Sequence, residues 1–178
     1  AEAELRSALE AAGGLPHLDA SARVLALERE YGVRREWVWA ALGESPLADT
    51  LLPLSRLASL VQVPSSGNSF DSLVAWYATD GWRADRAAID SLALVEAPAV
   101  RSLVASVVRA LYEPWLDSTA RTLQGHVDRE AVILGSPLSK SDAPGETCVL
   151  FADGLRIDLG VTLHDKLQTR DTLVQLDA

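Results

Sequence analysis

From Glu2 to Leu134 the apolar residues recur three and four positions apart, run after run, and the runs are punctuated by glycine and proline. That period belongs to an α-helix with one face turned inward, and nothing in this stretch asks for a strand. The spacing therefore predicts a multi-helix domain over residues 1–136 whose stripes pack on one another. No internal repeat of fixed period is present.

Gly13-Gly14 closes an Ala-, Leu- and Glu-rich helix running from Glu2 to Ala12. Asp19 is a good N-cap for a second helix, carried through Val24, Leu25 and Leu27 to Tyr31 and ended by Gly32. A short third helix holds Trp37 and Trp39, which cannot share one face, so one packs inward and the other meets a neighbouring segment. Ser45-Pro46 opens a leucine-dense helix reaching Val61, kinked or broken at Pro53. After the loop from Pro64 to Asn68, Ser69 or Asn68 caps a helix with Phe70, Leu73, Val74 and Tyr77 on one stripe, and Asp80-Gly81 ends it. Arg83 to Val95 repeats the pattern with Ile89, Leu92 and Val95, and Pro98 restarts a helix bearing Val100, Leu103, Val104, Val107, Val108 and Leu111. Pro114 either kinks one long helix or begins a new one, with Trp115, Leu116, Ala120 and Leu123 continuing the stripe toward Leu134.

The pattern then changes. Residues 137–146 hold Ser, Pro, Lys, Asp and Gly and form the natural linker. Cys148 to Ala152 is an unbroken apolar run that stops at Asp153-Gly154, which is how a buried parallel strand reads. Asp153 falls at the strand's carboxyl end, where open α/β sheets hold their ligands, and its carboxylate suits a hard or borderline cation. Gly154 lets the chain turn sharply. A helix follows with Leu155, Leu159, Leu163 and Leu167 at fourfold spacing, and then a second strand at Thr172 to Leu176. Strand, helix, strand makes a right-handed βαβ unit over residues 147–178, the incomplete start of an α/β domain. The expected fold class is mainly α, a multi-helix domain followed by that first βαβ unit.

Composition limits the function. At 178 residues and 48% hydrophobic the chain can bury one good core, and its net charge of −9 opposes nonspecific nucleic-acid binding by the piece as a whole. The single Cys148 has no partner for an internal disulfide and reads as a small buried hydrophobe, which fits a reducing cytoplasm. No signal-peptide pattern and no membrane-crossing run is found. The absence of methionine predicts an internal or processed piece of a longer product. A glycine-rich phosphate loop with a following lysine is missing, and His17, His126 and His164 are scattered as surface residues would be. Trp76, Tyr77, Trp82, Tyr112 and Trp115 could stack on bases, but among leucines they read as core.

The string Val149-Leu150-Phe151-Ala152-Asp153-Gly154-Leu155-Arg156-Ile157-Asp158 resembles the opening of the PglZ domain, a branch of the alkaline phosphatase superfamily. That domain's first strand ends in an Asp-small-Leu-Arg-aromatic-Asp/Glu pattern, from which Ile157 is a mild departure. The pieces Trp76-Tyr77-Ala78-Thr79-Asp80-Gly81-Trp82 and Leu111-Tyr112-Glu113-Pro114-Trp115-Leu116 resemble, in the expected order, the helical region before the domain in PglZ proteins of BREX phage-defence systems. The resemblance implies a metal-dependent phosphoester hydrolase, with Asp153 as first ligand of a divalent metal, usually zinc, and other BREX proteins as partners. It also implies that Arg156 holds phosphate or, with Asp158, braces the metal ligand from behind. Read from the residues alone, Asp153 caps a helix and Arg156 and Asp158 make an ion pair in its first turn. The resemblance places the nucleophile in a Thr-bearing segment that nothing here matches, and Thr162 and Thr172 read as structural. No catalytic residue is assigned, and this piece alone is expected to be inactive. The competing expectations are a non-catalytic helical interaction module of a defence complex and, disfavoured by charge, a DNA-binding helical domain.

Overall fold

The computed structural model describes residues 2–43, 45–65, 67–130 and 154–168. The helices are α1 (Glu2–Gly13), α2 (His17–Tyr31), α3 (Val38–Ala41), α4 (Pro46–Leu60), α5 (Phe70–Trp76), α6 (Trp82–Ala93), α7 (Pro98–Glu130) and α8 (Ile157–Gln168). The mainly helical expectation is met, and no strand occurs among the described residues. The linker at 137–146, Cys148, Asp153 and both expected strands, near 147–152 and 172–176, lie outside the described residues.

The stripes become a core as their spacing requires. Leu5, Leu9 and Ala12 of α1, Ala20, Val24 and Leu27 of α2, Leu47, Leu51, Leu54, Leu57 and Ala58 of α4, and Val104, Val107 and Leu111 of α7 all have no exposed surface. Each such leucine removed from water stabilises the fold by about 1.5–3 kcal/mol before the entropy of ordering it is counted. The helix pairs that meet include α1 with α7, α2 with α4, and α4 with α6. Arg35, in the 3₁₀ turn Gly32–Glu36, fastens two of these layers. Its guanidinium is clamped on the Glu28 carboxylate and also donates to the Ala48 carbonyl at 3.0 Å. The ion pair with Glu28 holds the guanidinium above its usual pKa.

Several local expectations are corrected. α2 begins at His17 after Pro16, so Asp19 lies in its first turn and favours the positive end of the helix dipole without capping. Ser45 makes no side-chain cap at α4, where the Leu47 N–H instead donates to Oε1 of Glu2 at 3.1 Å. α4 continues through Pro53 to Leu60. Ser69 does cap α5, in a reciprocal box with Ser72. Asp80-Gly81 ends nothing: Tyr77–Gly81 is a wide π turn that passes directly into α6. Of the stripe expected on α5, Leu73 is buried and Val74 is exposed. α6 turns small residues inward, Ala84, Ala87, Ala88 and Ser91, and leaves Ile89 exposed.

α7 is one helix of 33 residues with Pro114 inside it, which decides between the two readings of that proline. Trp115 is buried beside it, whereas Leu116 and Leu123 face outward. His126, expected on the surface, is 4% exposed, with Nε2 3.2 Å from the Gly67 carbonyl. The hydrogen-bond partner there makes burial of a polar ring tolerable. α8 starts at Ile157, and Leu155, Leu159 and Leu163 are exposed while Asp158 and Gly160 are buried. A polar side chain and a glycine thus seat this helix where it packs on α6. Among the described residues no helix is long and apolar enough to cross a membrane.

Candidate functional site

The continuous backbone from α5 through the π turn into α6 sets Tyr77 and Asp85 eight residues apart on facing turns. Gly81 makes that geometry possible, since a Cβ there would lie 2.8 Å from the Tyr77 ring and 3.1 Å from that of Trp76. The Tyr77 hydroxyl donates to Oδ2 of Asp85, and the Tyr112 hydroxyl, from α7, donates to Oδ1 at 2.6 Å. One carboxylate therefore ties the π turn, α6 and α7 together. Around it Trp115 lies against Trp76 at 6.2 Å and Tyr112 at 5.7 Å between ring centroids, tilted as aromatic pairs prefer.

α8 meets α6 at the same place. Arg156 donates from Nε to Oδ1 of Asp158 at 2.9 Å, and Nη1 of Arg86 stands 4.0 Å from Oδ2. Arg86 is itself bonded to Asp90 one turn on, at 2.8 Å. The side chain of Asp158 is 5% exposed and that of Arg156 48%. Asp158 occupies the first turn of α8, where the helix dipole also favours a negative charge. Gly154, just before, has φ +68°, and a Cβ there would meet nothing within 4 Å. Glycine is required at that turn by backbone conformation and not by space.

The electrostatics fix the protonation of the phenols. Burial disfavours the phenolate of Tyr77 and of Tyr112, and the hydrogen bond to Asp85, followed by its negative charge, pushes both pKa values up from 10.0. The Arg156 charge acts on both phenols in the opposite sense, which places the Arg156–Asp158 pair and the Asp85 pair in one cluster. Arg156 is held above its usual value chiefly by its bond to Asp158. Both phenols are thus neutral donors at ordinary pH. Asp85 has both oxygens engaged, and Asp158 is covered.

Of the residues singled out from the sequence, the structure brings Arg156 and Asp158 together as the ion pair read from their spacing. Asp153 lies outside the described residues. Asp85 and Arg86 were missed and Tyr77 and Tyr112 were read as core aromatics; the only sequence signal for the cluster was the spacing of Tyr77 and Asp85 on a helix running unbroken past Gly81. Among the described residues no three of His, Cys, Asp and Glu gather as a metal would need, so these residues do not fit a metal by themselves. What this cluster does chemically is dock: it fixes the start of α8, and with it the Gly154 turn, against the helical body. No family model, no curated protein and no solved structure matches the chain.

Proposed function

We propose that this chain is the helical region and the opening of the hydrolase domain of a PglZ-like, metal-dependent phosphoester hydrolase of a BREX-type phage-defence system. The helical body acts as a platform for the loop that carries Asp153, the first metal ligand, in the cytoplasm and alongside other defence proteins. The observation that carries the reading is the fold of residues 154–158: a left-handed glycine turn leads at once into a helix seated by Asp158. A metal ligand has to be held to within a fraction of an ångström, and a turn followed by a helix whose buried Asp158 faces Arg86 of the helical body suits that need. The outward leucines at 155, 159 and 163 add support. They suit a helix of an α/β layer, whose apolar face a parallel sheet covers, and so favour a βαβ unit spanning 147–178. Arg156, half exposed and anchored through Nε, is the residue of the cluster able to reach a phosphate.

The test is Asp153→Ala in the full-length protein. Zinc-dependent hydrolysis of a chromogenic phosphodiester is expected to disappear while the helical circular-dichroism signal stays unchanged. Undiminished hydrolysis by that variant would end the hydrolase reading.

A second reading, a non-catalytic interaction module, is favoured by one surface. Val33, Trp37, Val38 and Leu42 are 54%, 46%, 74% and 64% exposed within ten residues of chain around α3. Apolar groups gathered this way commonly meet a protein partner. Under this reading the Asp153 variant behaves as wild type, and charged replacements at Trp37 and Val38 abolish assembly.

A further inference from the structure

Between α4 and α6 runs a groove of about 490 Å³, within the size of small-molecule sites. Its apolar floor comes from Pro53, Leu60 and Ala87, and its polar wall from Arg56, Arg83, Arg86, Ser59 and Asp90, with Trp82 beside them. Three guanidinium groups line the groove beside one carboxylate, Asp90, while Asp80 and Asp158, which do not line it, approach Arg83 and Arg86.

The arginines differ in how far they are already committed. Arg56 is exposed and has no ion-pair partner among the described residues. Arg83 pairs with Asp80 at 3.2 Å, but both side chains are more than half exposed, and such a pair yields readily to a stronger anion. Arg86 is the fixed member, bonded to Asp90. A guanidinium fork matches phosphate oxygens two at a time, whereas the indole of Trp82 offers a flat apolar partner for a ring.

We propose that this groove binds a nucleotide unit, its phosphate on Arg56 and Arg83 and its base along Trp82. The groove is lined by residues 53–90, meets the α8 segment only through Arg86, 4.0 Å from Asp158, and does not depend on the hydrolase reading.

The test uses the 178-residue chain in a buffer containing a metal chelator, so that hydrolysis plays no part. Adenosine monophosphate and a short oligodeoxyadenylate are titrated by calorimetry, with orthophosphate and a short oligoglutamate as comparisons. Saturable binding of either nucleotide probe supports the site, and the tighter of the two tells a free nucleotide from a strand. Arg56→Ala should weaken binding roughly tenfold or more, the loss of one charge-assisted contact. Trp82→Phe should weaken it less, and Asp90→Asn, which removes the opposing charge, should tighten it. Arg101→Ala, an exposed arginine on α7 that does not line the groove, should change nothing. If Arg56→Ala fails to fold, Asp90→Asn carries the same question. The proposal is overturned if neither nucleotide binds saturably, if the groove variants bind as wild type does, or if orthophosphate or oligoglutamate binds as tightly as the nucleotides.

Discussion

Asp85 is the residue on which the most contacts converge, because each of its oxygens answers a different tyrosine from a different helix. Removing it strands two half-buried hydroxyls. Hydrogen bonds to a charged group contribute about 1.5–3 kcal/mol each, and partial exposure reduces that, so Asp85→Ala should destabilise the chain by about 2 kcal/mol, read from the urea midpoint. The same pair of bonds makes stability depend on alkaline pH. Both phenols have folded pKa values raised above the unfolded 10.0, so their contribution is complete below pH 10.0 and is lost as pH rises above it. Thermal melts should show the midpoint falling above pH 10, and Tyr112→Phe should lessen that slope. Nothing in composition set Asp85 apart from Asp80 or Asp90 on the same stretch. Arg156 and Asp158, by contrast, were legible as a pair because a first-turn ion pair needs only two residues close in sequence. Asp85 needs Tyr112, 27 positions away, which no local pattern shows.

At the scale of the element, legibility followed the size of the side chains. Where leucine and valine do the packing, in α2, α4 and the first half of α7, period located the helix and its buried face, and in α1 composition and the glycine stop located the helix. In α6 alanines face inward; Leu92 and Val95 of the expected stripe do reach the core, and Ile89 lies outside it. In α8 the seat is a carboxylate and a glycine, and the leucines pointed the other way. The break expected at Asp80-Gly81 failed for a related reason. Glycine is a helix stop when it adopts positive φ, but here it has φ −60° and is present because two aromatic rings crowd the place of its Cβ. This gives a prediction opposite in sign to helix propensity. Gly81→Ala, which propensity alone would make stabilising by up to about 1 kcal/mol, should destabilise by about 1–2 kcal/mol as the Tyr77 and Trp76 rings are pushed aside. Denaturant titration checks the sign, and near-ultraviolet circular dichroism should record the ring displacement.

For the molecule as a whole, the question is which part holds itself together. Among the described residues the buried apolar side chains run from Leu5 to Trp115 and all precede the linker, whereas α8 adds to the interior only Asp158 and Gly160. The Asp85 bonds to Tyr77 and Tyr112 also lie wholly within the helical body. What α8 contributes in return is the ion pair of Asp158 with Arg156 and the more distant approach of Arg86, whose side chain is 40% exposed. Exposed pairs of this kind are worth about 1 kcal/mol or less, and covering one partner adds desolvation against it. Residues 1–136 should accordingly fold alone in one cooperative transition, with a melting midpoint within about 4 °C of the 178-residue chain. Differential scanning calorimetry of the two lengths decides the matter. A shortened chain that melts broadly, or much lower, would mean that segments after the linker complete the core and that the platform and the loop it carries are one cooperative unit.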